Sequence, residues 1–169
     1  MQELLNRLGS NHDGSTLLSQ GYFDVVVALD VLEHIEDDVA ALSVLRECVK
    51  PGGKVIVTVP AMPSLWSTWD DQLGHHRRYT RRMMERTAVA AGMEIAEVSF
   101  MFPELYPVGL LRKYVRAGST DSADFPVFPR RLDILLGAIS QTTSRARRVT
   151  PFGSSIFAVL RRPLRDFAP

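Results

Sequence analysis

The chain has 169 residues, of which 46% are hydrophobic and 23% are charged, and its formal net charge is +1. This length and composition are typical of one soluble globular domain, and the near-zero net charge disfavours a protein built mainly to bind nucleic acid. Cys48 is the only cysteine, which excludes a disulfide within the chain and favours a reducing, cytoplasmic location. The sequence shows no signal-peptide pattern and no apolar run of about 18 residues that would span a membrane.

The first clear element is a continuous apolar run over residues 25–29, which ends in Asp30 and a Leu-Glu-His-Ile turn. A strand that is apolar on both faces is typical of the centre of a parallel sheet, so a strand is predicted over residues 22–29. Polar groups just past the carboxyl end of such a strand lie where open α/β sheets bind ligands. The run therefore predicts a fold and a site together.

A helix and a second strand follow. Acidic residues 36–38 favour a helix start, and residues 51–53 (Pro-Gly-Gly) are predicted to end the helix. The apolar residues of this helix recur at helical spacing: Val39, Leu42, Leu45, Cys48 and Val49. Residues 54–59 are rich in β-branched side chains and predict a second strand. Strand, helix and strand together predict a βαβ unit with two parallel strands.

Beyond a loop rich in Trp and His, Thr80 is predicted to cap another helix that Gly92 ends. The predicted inner face of this helix consists of Met83, Met84, Thr87, Ala88 and Ala91. A third strand is predicted over residues 94–100 and a final strand over residues 155–160.

Residues 101–150 form a long insertion with two amphipathic stretches. The first stretch carries Val108, Leu111 and Val115, and the second carries Leu132, Leu135, Leu136 and Ile139, followed by Arg145, Arg147 and Arg148. A polar loop over residues 118–129 separates them. We expect the apolar stripes to pack on the sheet; the alternative is contact with a membrane surface, which would suit a lipid-linked acceptor.

Three segments, taken in order, resemble the carboxyl-terminal half of class I S-adenosylmethionine-dependent methyltransferases of the small-molecule type. Residues 23–35 are similar to that family's fourth strand and the turn after it. Residues 45–54, with their Pro-Gly-Gly, resemble the helix and bend before the fifth strand. Residues 74–80 (Gly-His-His-Arg-Arg-Tyr-Thr) resemble a segment that opens the next helix in one bacterial branch.

The resemblance implies an α/β fold with a partial Rossmann-like sheet, in which the last strands are parallel and the final strand is antiparallel. Residues 1–100 and 151–169 would form a truncated methyltransferase domain, and residues 101–150 would be a helical insertion that covers substrate. The implied reaction is methyl transfer from S-adenosylmethionine to a small-molecule or lipid-like acceptor.

One family feature is missing from the sequence. The family holds its cofactor with a glycine-rich turn of the Asp-x-Gly-x-Gly-x-Gly kind, whereas Gly9, Gly14 and Gly21 are isolated. We therefore expect the chain to begin about three strands into the fold. The strand over residues 23–29 would then lie at an edge of the sheet, where it could pair with a second copy and form a homodimer, or reduce solubility.

The resemblance also implies site residues. Cofactor contacts are expected at Leu29, Asp30 and Val31. Asp13 is a fourth expected contact, with an ordinary solvated position in a loop as the equal alternative. His34 is the candidate base, with Glu33 beside it, because imidazole can take a proton near neutral pH. His75, Arg77 and Tyr79 are the candidate acceptor contacts in the loop that should fold over the same edge. The alternative for these five residues is an ordinary role in a helix start or in loop packing.

The spacing of Asp30, Glu33 and His34 is similar to that of ubiquinone-pathway O-methyltransferases associated with a divalent cation. Because three such ligands suit a hard cation only partially, no metal site is predicted.

Two further function classes remain open from the sequence. A non-catalytic fragment could act as a dimerisation or interaction module. A basic cluster could bind RNA: Arg77, Arg78, Arg81, Arg82 and Arg86. We expect that cluster to be a solvated helix face, because no array of stacking aromatic residues accompanies it.

Overall fold

The computed structural model describes residues 21–107, 109–110 and 130–164. The strands are β1 (Phe23–Leu29), β2 (Val49–Pro60), β3 (Glu94–Met101) and β4 (Ser155–Arg161). The helices are α1 (Asp38–Cys48), α2 (Thr68–Gln72), α3 (Arg81–Ala90) and α4 (Arg130–Arg145). Short 3-10 turns lie at Leu32–His34, Pro63–Leu65 and Arg147–Val149.

The four strands form one mixed sheet in the order β1-β2-β4-β3. β1 and β2 are parallel and joined through α1, whereas β4 runs antiparallel to both β2 and β3. This arrangement confirms the predicted α/β fold, with its parallel βαβ unit and antiparallel final strand.

The core lies between one face of this sheet and the two helices α1 and α3. Alternate residues of the two central strands are fully buried there: Val55, Val57, Val59, Ile156, Ala158 and Leu160. Thr80 caps α3 by accepting a hydrogen bond from the Met83 backbone N–H at 3.2 Å, as predicted. Met84 is buried, but Met83 in the first turn of α3 is exposed, so its predicted place on the inner face needs correction.

The Pro-Gly-Gly triplet at residues 51–53 does not end the helix. α1 already ends at Cys48, and Val49 begins β2, so the triplet lies inside the strand. The pairing register between β1 and β2 shifts here, which is the geometry of a bulge. Glycine suits this bulge because Gly52 has a φ of +80°, and a Cβ on Gly53 would lie 2.8 Å from the carbonyl oxygen of Lys50.

β1 lies at one edge of the described sheet, as predicted. Ala28 faces the core, whereas Val25, Val27 and Leu29 on the opposite face are exposed. The described helices therefore cover only one face of this apolar strand. Because no described strand pairs with its outer edge, dimerisation through residues 23–29 stays a prediction.

The second amphipathic stretch forms α4, but part of its apolar stripe is not buried. Leu135 and Ile139 are exposed, which contradicts the expectation that they pack on the sheet. The side chains of Leu132 and Leu136, the first amphipathic stretch (Val108, Leu111 and Val115) and the loop over residues 118–129 lie outside what the structure describes. Among the helices that it does describe, none combines the length and apolar character of a membrane span.

Candidate functional site

The carboxyl ends of the parallel strands β1 and β2 form one edge of the sheet, and each is followed by a residue in the left-handed backbone region. Asp30 has a φ of +50° and Met62 a φ of +59°. Such conformations cost roughly 1–3 kcal/mol and occur often at functional sites. Asp30 is held by Thr58, whose hydroxyl donates to Asp30 Oδ1 at 3.2 Å.

Leu29, Asp30 and Val31 are all exposed at this edge. The three predicted cofactor contacts are therefore accessible to a ligand in the described part of the chain. Asp13, the fourth predicted cofactor contact, lies outside the described residues.

Glu33 and His34 lie on the 3-10 turn that follows β1. The Glu33 side chain is only 1% exposed, and its Oε2 atom has no hydrogen-bond partner among the described residues. Burial raises the pKa of this carboxyl to about 7, and the nearby Asp30 charge adds to the shift. Glu33 therefore exchanges its proton near neutral pH, as acid–base groups in active sites do.

The loop between β2 and α3 brings His75 against this turn. The His76 backbone N–H donates to the Glu33 carbonyl oxygen at 2.7 Å, which ties the loop to the turn. The rings of His34 and His75 meet edge to face, with centroids 4.7 Å apart. Two sites predicted from separate motifs are thus neighbours in the fold.

Asp70, on the short helix α2, orients His75. Its fully buried carboxylate accepts hydrogen bonds from His75 Nδ1 at 2.9 Å and from Arg78 Nε at 2.7 Å. Burial alone would raise the pKa of Asp70, but the hydrogen bonds from Arg78 and His75 outweigh it and lower the pKa. An ionised Asp70 requires a proton on His75 Nδ1, so in the neutral ring Nε2 carries the lone pair.

A second buried carboxylate, Asp38, organises the other end of the loop. Its Oδ2 atom accepts hydrogen bonds from the Tyr79 hydroxyl at 2.8 Å and from the Thr87 hydroxyl at 3.2 Å, and it pairs with Arg77 at 3.0 Å. Burial, followed by the hydrogen bond to Asp38, raises the pKa of Tyr79. This geometry favours a structural role for Arg77 and Tyr79 over the predicted contact with an acceptor.

Glu33, His34 and His75 can also hold a metal ion. Each offers one ligand atom, and these atoms lie within 4.8 Å of one another. The group differs from the set considered from the sequence, because His75 takes the place of Asp30. Asp70 adds the carboxylate that commonly orients a metal-binding histidine.

Sequence reasoning missed Asp70 and Asp38 as organising residues. For Asp70 a local signal exists: Ser67 and Asp70 have capping-box spacing, and the Ser67 backbone N–H donates to Asp70 Oδ2 at 2.9 Å. For Asp38 the acidic run 36–38 indicated only a helix start. Its partners Tyr79 and Thr87 lie more than 40 residues away along the chain.

The basic cluster considered for RNA binding is largely paired within the protein. Arg77 pairs with Asp38, Arg78 with Asp70 and Arg81 with Glu85. Three of its five guanidinium groups are therefore occupied by carboxylates, which disfavours an RNA-binding face.

Comparison with known proteins identifies the family. A family model described as a methyltransferase domain matches residues 3–98, more than half of the chain. No curated protein matches the sequence.

Solved structures share the fold at low sequence identity. Phosphoethanolamine N-methyltransferase 2 of Haemonchus contortus, in complex with S-adenosyl-L-methionine, is 20% identical with a TM-score of 0.51, and the match covers 94% of this chain and 40% of that one. An S-adenosylmethionine-dependent methyltransferase of Mesorhizobium loti is 14% identical with a TM-score of 0.50, and the match covers 86% of this chain and 64% of that one.

The chain spans less than two thirds of the length of either protein. Both are described with S-adenosylmethionine, which agrees with the cofactor predicted from the sequence. The family match and the mixed sheet lead to one conclusion: the chain belongs to the methyltransferase-domain family, with the fold of class I S-adenosylmethionine-dependent enzymes.

Proposed function

We propose that this site takes part in S-adenosylmethionine-dependent methyl transfer to a hydroxyl group of a small-molecule or lipid-like acceptor. The observation that carries the proposal is the Asp70–His75 pair, which meets Glu33 and His34 at the ligand edge of the sheet. A hydroxyl nucleophile gains from a base that removes its proton, and this pair has the form of an oriented base.

The cofactor would lie against Leu29, Asp30 and Val31. Their exposure at the end of β1 supports this assignment, because together they offer a carboxylate and two apolar side chains to one ligand. S-adenosylmethionine, when bound, supplies the electrophilic methyl group. The contribution of this chain is to hold the reacting groups in line and to exclude water.

His75 Nε2 would accept the proton of the acceptor hydroxyl while the methyl group passes from the cofactor's sulfur to that oxygen, which leaves S-adenosylhomocysteine. Asp70 keeps the other ring nitrogen protonated and stabilises the imidazolium that results. His34, whose ring contacts His75, would contact the acceptor, and Glu33 would set the local charge through its proton near neutral pH.

Calorimetric titration with S-adenosylhomocysteine tests the cofactor part of the proposal. We expect saturable micromolar binding that Asp30→Ala weakens by roughly tenfold, since about 1.4 kcal/mol corresponds to that factor. Asp24→Ala is the matched control, because Asp24 lies on the same strand at its amino end and is exposed. Absence of binding by a folded sample, or equal losses in the two variants, would contradict the assignment.

A single-turnover methyl-transfer assay with hydroxyl acceptors tests the base. His75→Gln should slow transfer by roughly 10²-fold or more and leave S-adenosylhomocysteine affinity within about twofold. His76→Gln is the control, because His76 adjoins His75 but is exposed. A rate unaffected by His75→Gln would remove the base from the proposal while leaving cofactor binding standing.

A divalent cation at Glu33, His34 and His75 is a second candidate feature, favoured by the spacing of their ligand atoms. Imidazole and carboxylate ligands suit ions such as Mn²⁺ or Zn²⁺. Titration of Mn²⁺ into the protein, followed by electron paramagnetic resonance, should show one site that Glu33→Gln and His75→Gln both abolish. An unchanged signal in either variant would exclude the site.

The alternative function as a dimerisation module is favoured by the exposed edge strand. The outer face of β1 presents Val25, Val27 and Leu29. If this edge joins two copies, light scattering after size exclusion should give twice the monomer mass. The Val27→Lys variant should then have the mass of one monomer. A monomer at all concentrations would leave methyl transfer as the function that the site supports.

A further inference from the structure

We propose that the outer face of α4 binds the surface of an anionic lipid membrane. This face is defined by Arg131, Ile134, Leu135, Ala138 and Arg145. The proposal is independent of the catalytic site, because it concerns a helix of the insertion and needs no bound cofactor.

Two polar side chains of α4 contact the rest of the protein as the structure describes it. Ser140 and Thr143 both donate to the Glu104 carboxylate, and the Thr143 hydroxyl lies 3.0 Å from Glu104 Oε2. Surface helices of globular proteins usually turn their apolar residues toward the core. Among the side chains that the structure describes, α4 instead has polar contacts with Glu104 on one side and the exposed apolar residues Ile134 and Leu135 on the other.

The outer face is apolar in its middle and basic at both ends. Ile134 and Leu135 are 63% and 56% exposed, and Ala138 follows them one turn later. Arg131 lies one turn before Ile134 and Arg145 two turns after Ala138, and both are exposed. The spacing i, i+3, i+4, i+7 and i+14 places all five on one side of the helix.

The charge of this segment selects the partner. Residues 130–148 contain five arginines and one acidic residue, Asp133. Arg147 and Arg148 pair with Glu97, whereas Arg130, Arg131 and Arg145 have no ion pair with the side chains that the structure describes. A second copy of this face would bring like charges together, but anionic headgroups would neutralise them while the apolar side chains enter the acyl boundary.

Sedimentation of the full chain with vesicles tests the proposal. We expect binding to vesicles of phosphatidylcholine and phosphatidylglycerol in a 3:1 ratio, whose surface is anionic. Binding to pure phosphatidylcholine should be weaker by roughly tenfold or more, and added salt should reduce binding to the anionic vesicles. No binding to anionic vesicles, or equal binding to both compositions, would overturn the proposal.

Three variants locate the contact. The double variant Ile134→Ser/Leu135→Ser should lower the vesicle partition coefficient by roughly tenfold or more, and Arg131→Gln/Arg145→Gln by about tenfold. Val89→Ser is the control, because Val89 is 64% exposed on the different helix α3. All substituted side chains are exposed, so far-ultraviolet circular dichroism should stay unchanged and show that the variants are folded.

The same variants separate lipid binding from self-association. If Ile134→Ser/Leu135→Ser converts a dimer to a monomer while vesicle binding is absent, a second copy covers this face and the proposal is overturned. Vesicle binding that only Val89→Ser weakens would also overturn it, because the contact would then lie on α3.

Discussion

Two buried carboxylates flank the loop between β2 and α3, and their surroundings differ. Asp38 accepts hydrogen bonds from Tyr79 and Thr87 and pairs with Arg77. Glu33 is buried as well, but its Oε2 atom has no partner among the described residues, and its pKa is raised to about 7. A buried carboxylate with hydrogen-bond partners stabilises the fold. A buried carboxylate oxygen without a partner lowers the stability of the folded state, and such groups commonly occur at functional sites.

The comparison also separates the predicted site residues. Arg77 and Tyr79 belong to the Asp38 centre and lie in or near the core, while His34 and His75 belong to the Glu33 centre just past the carboxyl end of β1. One short motif, residues 74–80, thus serves both centres. Substitutions that act on one centre at a time can test whether the Asp38 centre is structural and the Glu33 centre functional.

The largest expected effect is the loss of Asp38. Asp38→Ala leaves the buried Tyr79 hydroxyl without an acceptor and Arg77 without its counter-charge. We expect the free energy of unfolding, measured by urea denaturation, to fall by about 3–5 kcal/mol. Glu36→Ala is the control and should change it by less than about 0.5 kcal/mol, because Glu36 is exposed. Equal effects in the two variants would show that the Asp38 centre is not structural.

The next effect is a dependence of the unfolding free energy on pH, which Glu33 confers. Its carboxyl pKa is about 7 in the folded protein and near 4.5 in the unfolded chain, so the folded state binds the proton more tightly. The stabilising contribution is therefore complete below pH 4.5 and is lost as the pH rises to 7, by at most about 3 kcal/mol. Urea denaturation at several pH values, with EDTA present, measures the slope of the unfolding free energy against pH.

Glu33→Gln should flatten that slope, because an amide does not titrate in this range. The exposed Glu36→Gln is the matched control and should retain the slope of the original chain. A Glu33→Gln variant with an unchanged slope would mean that another group carries the pH dependence, and the contrast between the two carboxylates would then fail.

A smaller effect is expected from Asp70→Asn, which tests whether Asp70 positions His75. The amide cannot pair with Arg78 as a carboxylate does, so we expect a loss of about 2 kcal/mol in unfolding free energy. Nitrogen chemical shifts of His75 should show a single Nδ1-protonated tautomer in the original chain and a mixture of tautomers in the variant. Asp71→Asn, on the exposed side of α2, should keep the single tautomer. A single Nδ1-protonated tautomer in Asp70→Asn would show that another group sets it.

Local sequence patterns predicted the fold well. The β-branched residues 54–59 predicted part of β2, and the final strand predicted over residues 155–160 is β4. Thr80 and Gly92 correctly bounded α3. The Pro-Gly-Gly triplet was misread because its role depends on a bulge that forms only when β2 pairs with β1. In that bulge a Cβ at position 53 would lie 2.8 Å from the Lys50 carbonyl oxygen and 3.1 Å from the Asp24 carbonyl oxygen of β1.

The candidate site could be predicted only in part, for a related reason. The motif after β1 and the motif at residues 74–80 were both recognised, but the pairing of His75 with Asp70 and of Tyr79 with Asp38 depends on how the loop folds back. The stripe on α4 was also visible in the sequence. The contact of that helix with Glu104 was not visible in the sequence, because Glu104 lies 36 residues before Ser140.

The smallest effect, Tyr79→Phe, sharpens the assignment of Tyr79 to the Asp38 centre. Removing only the hydroxyl deletes one hydrogen bond while the ring still fills the core, so we expect a loss of about 1 kcal/mol in unfolding free energy. Tyr22→Phe is the control, since Tyr22 is exposed and should show almost no change. A double-mutant cycle with Asp38→Ala should give a coupling energy of the same size as the single loss, because the two groups share one hydrogen bond. A coupling energy of zero would mean that Tyr79 acts apart from Asp38, and its hydroxyl would return to the list of candidate acceptor contacts.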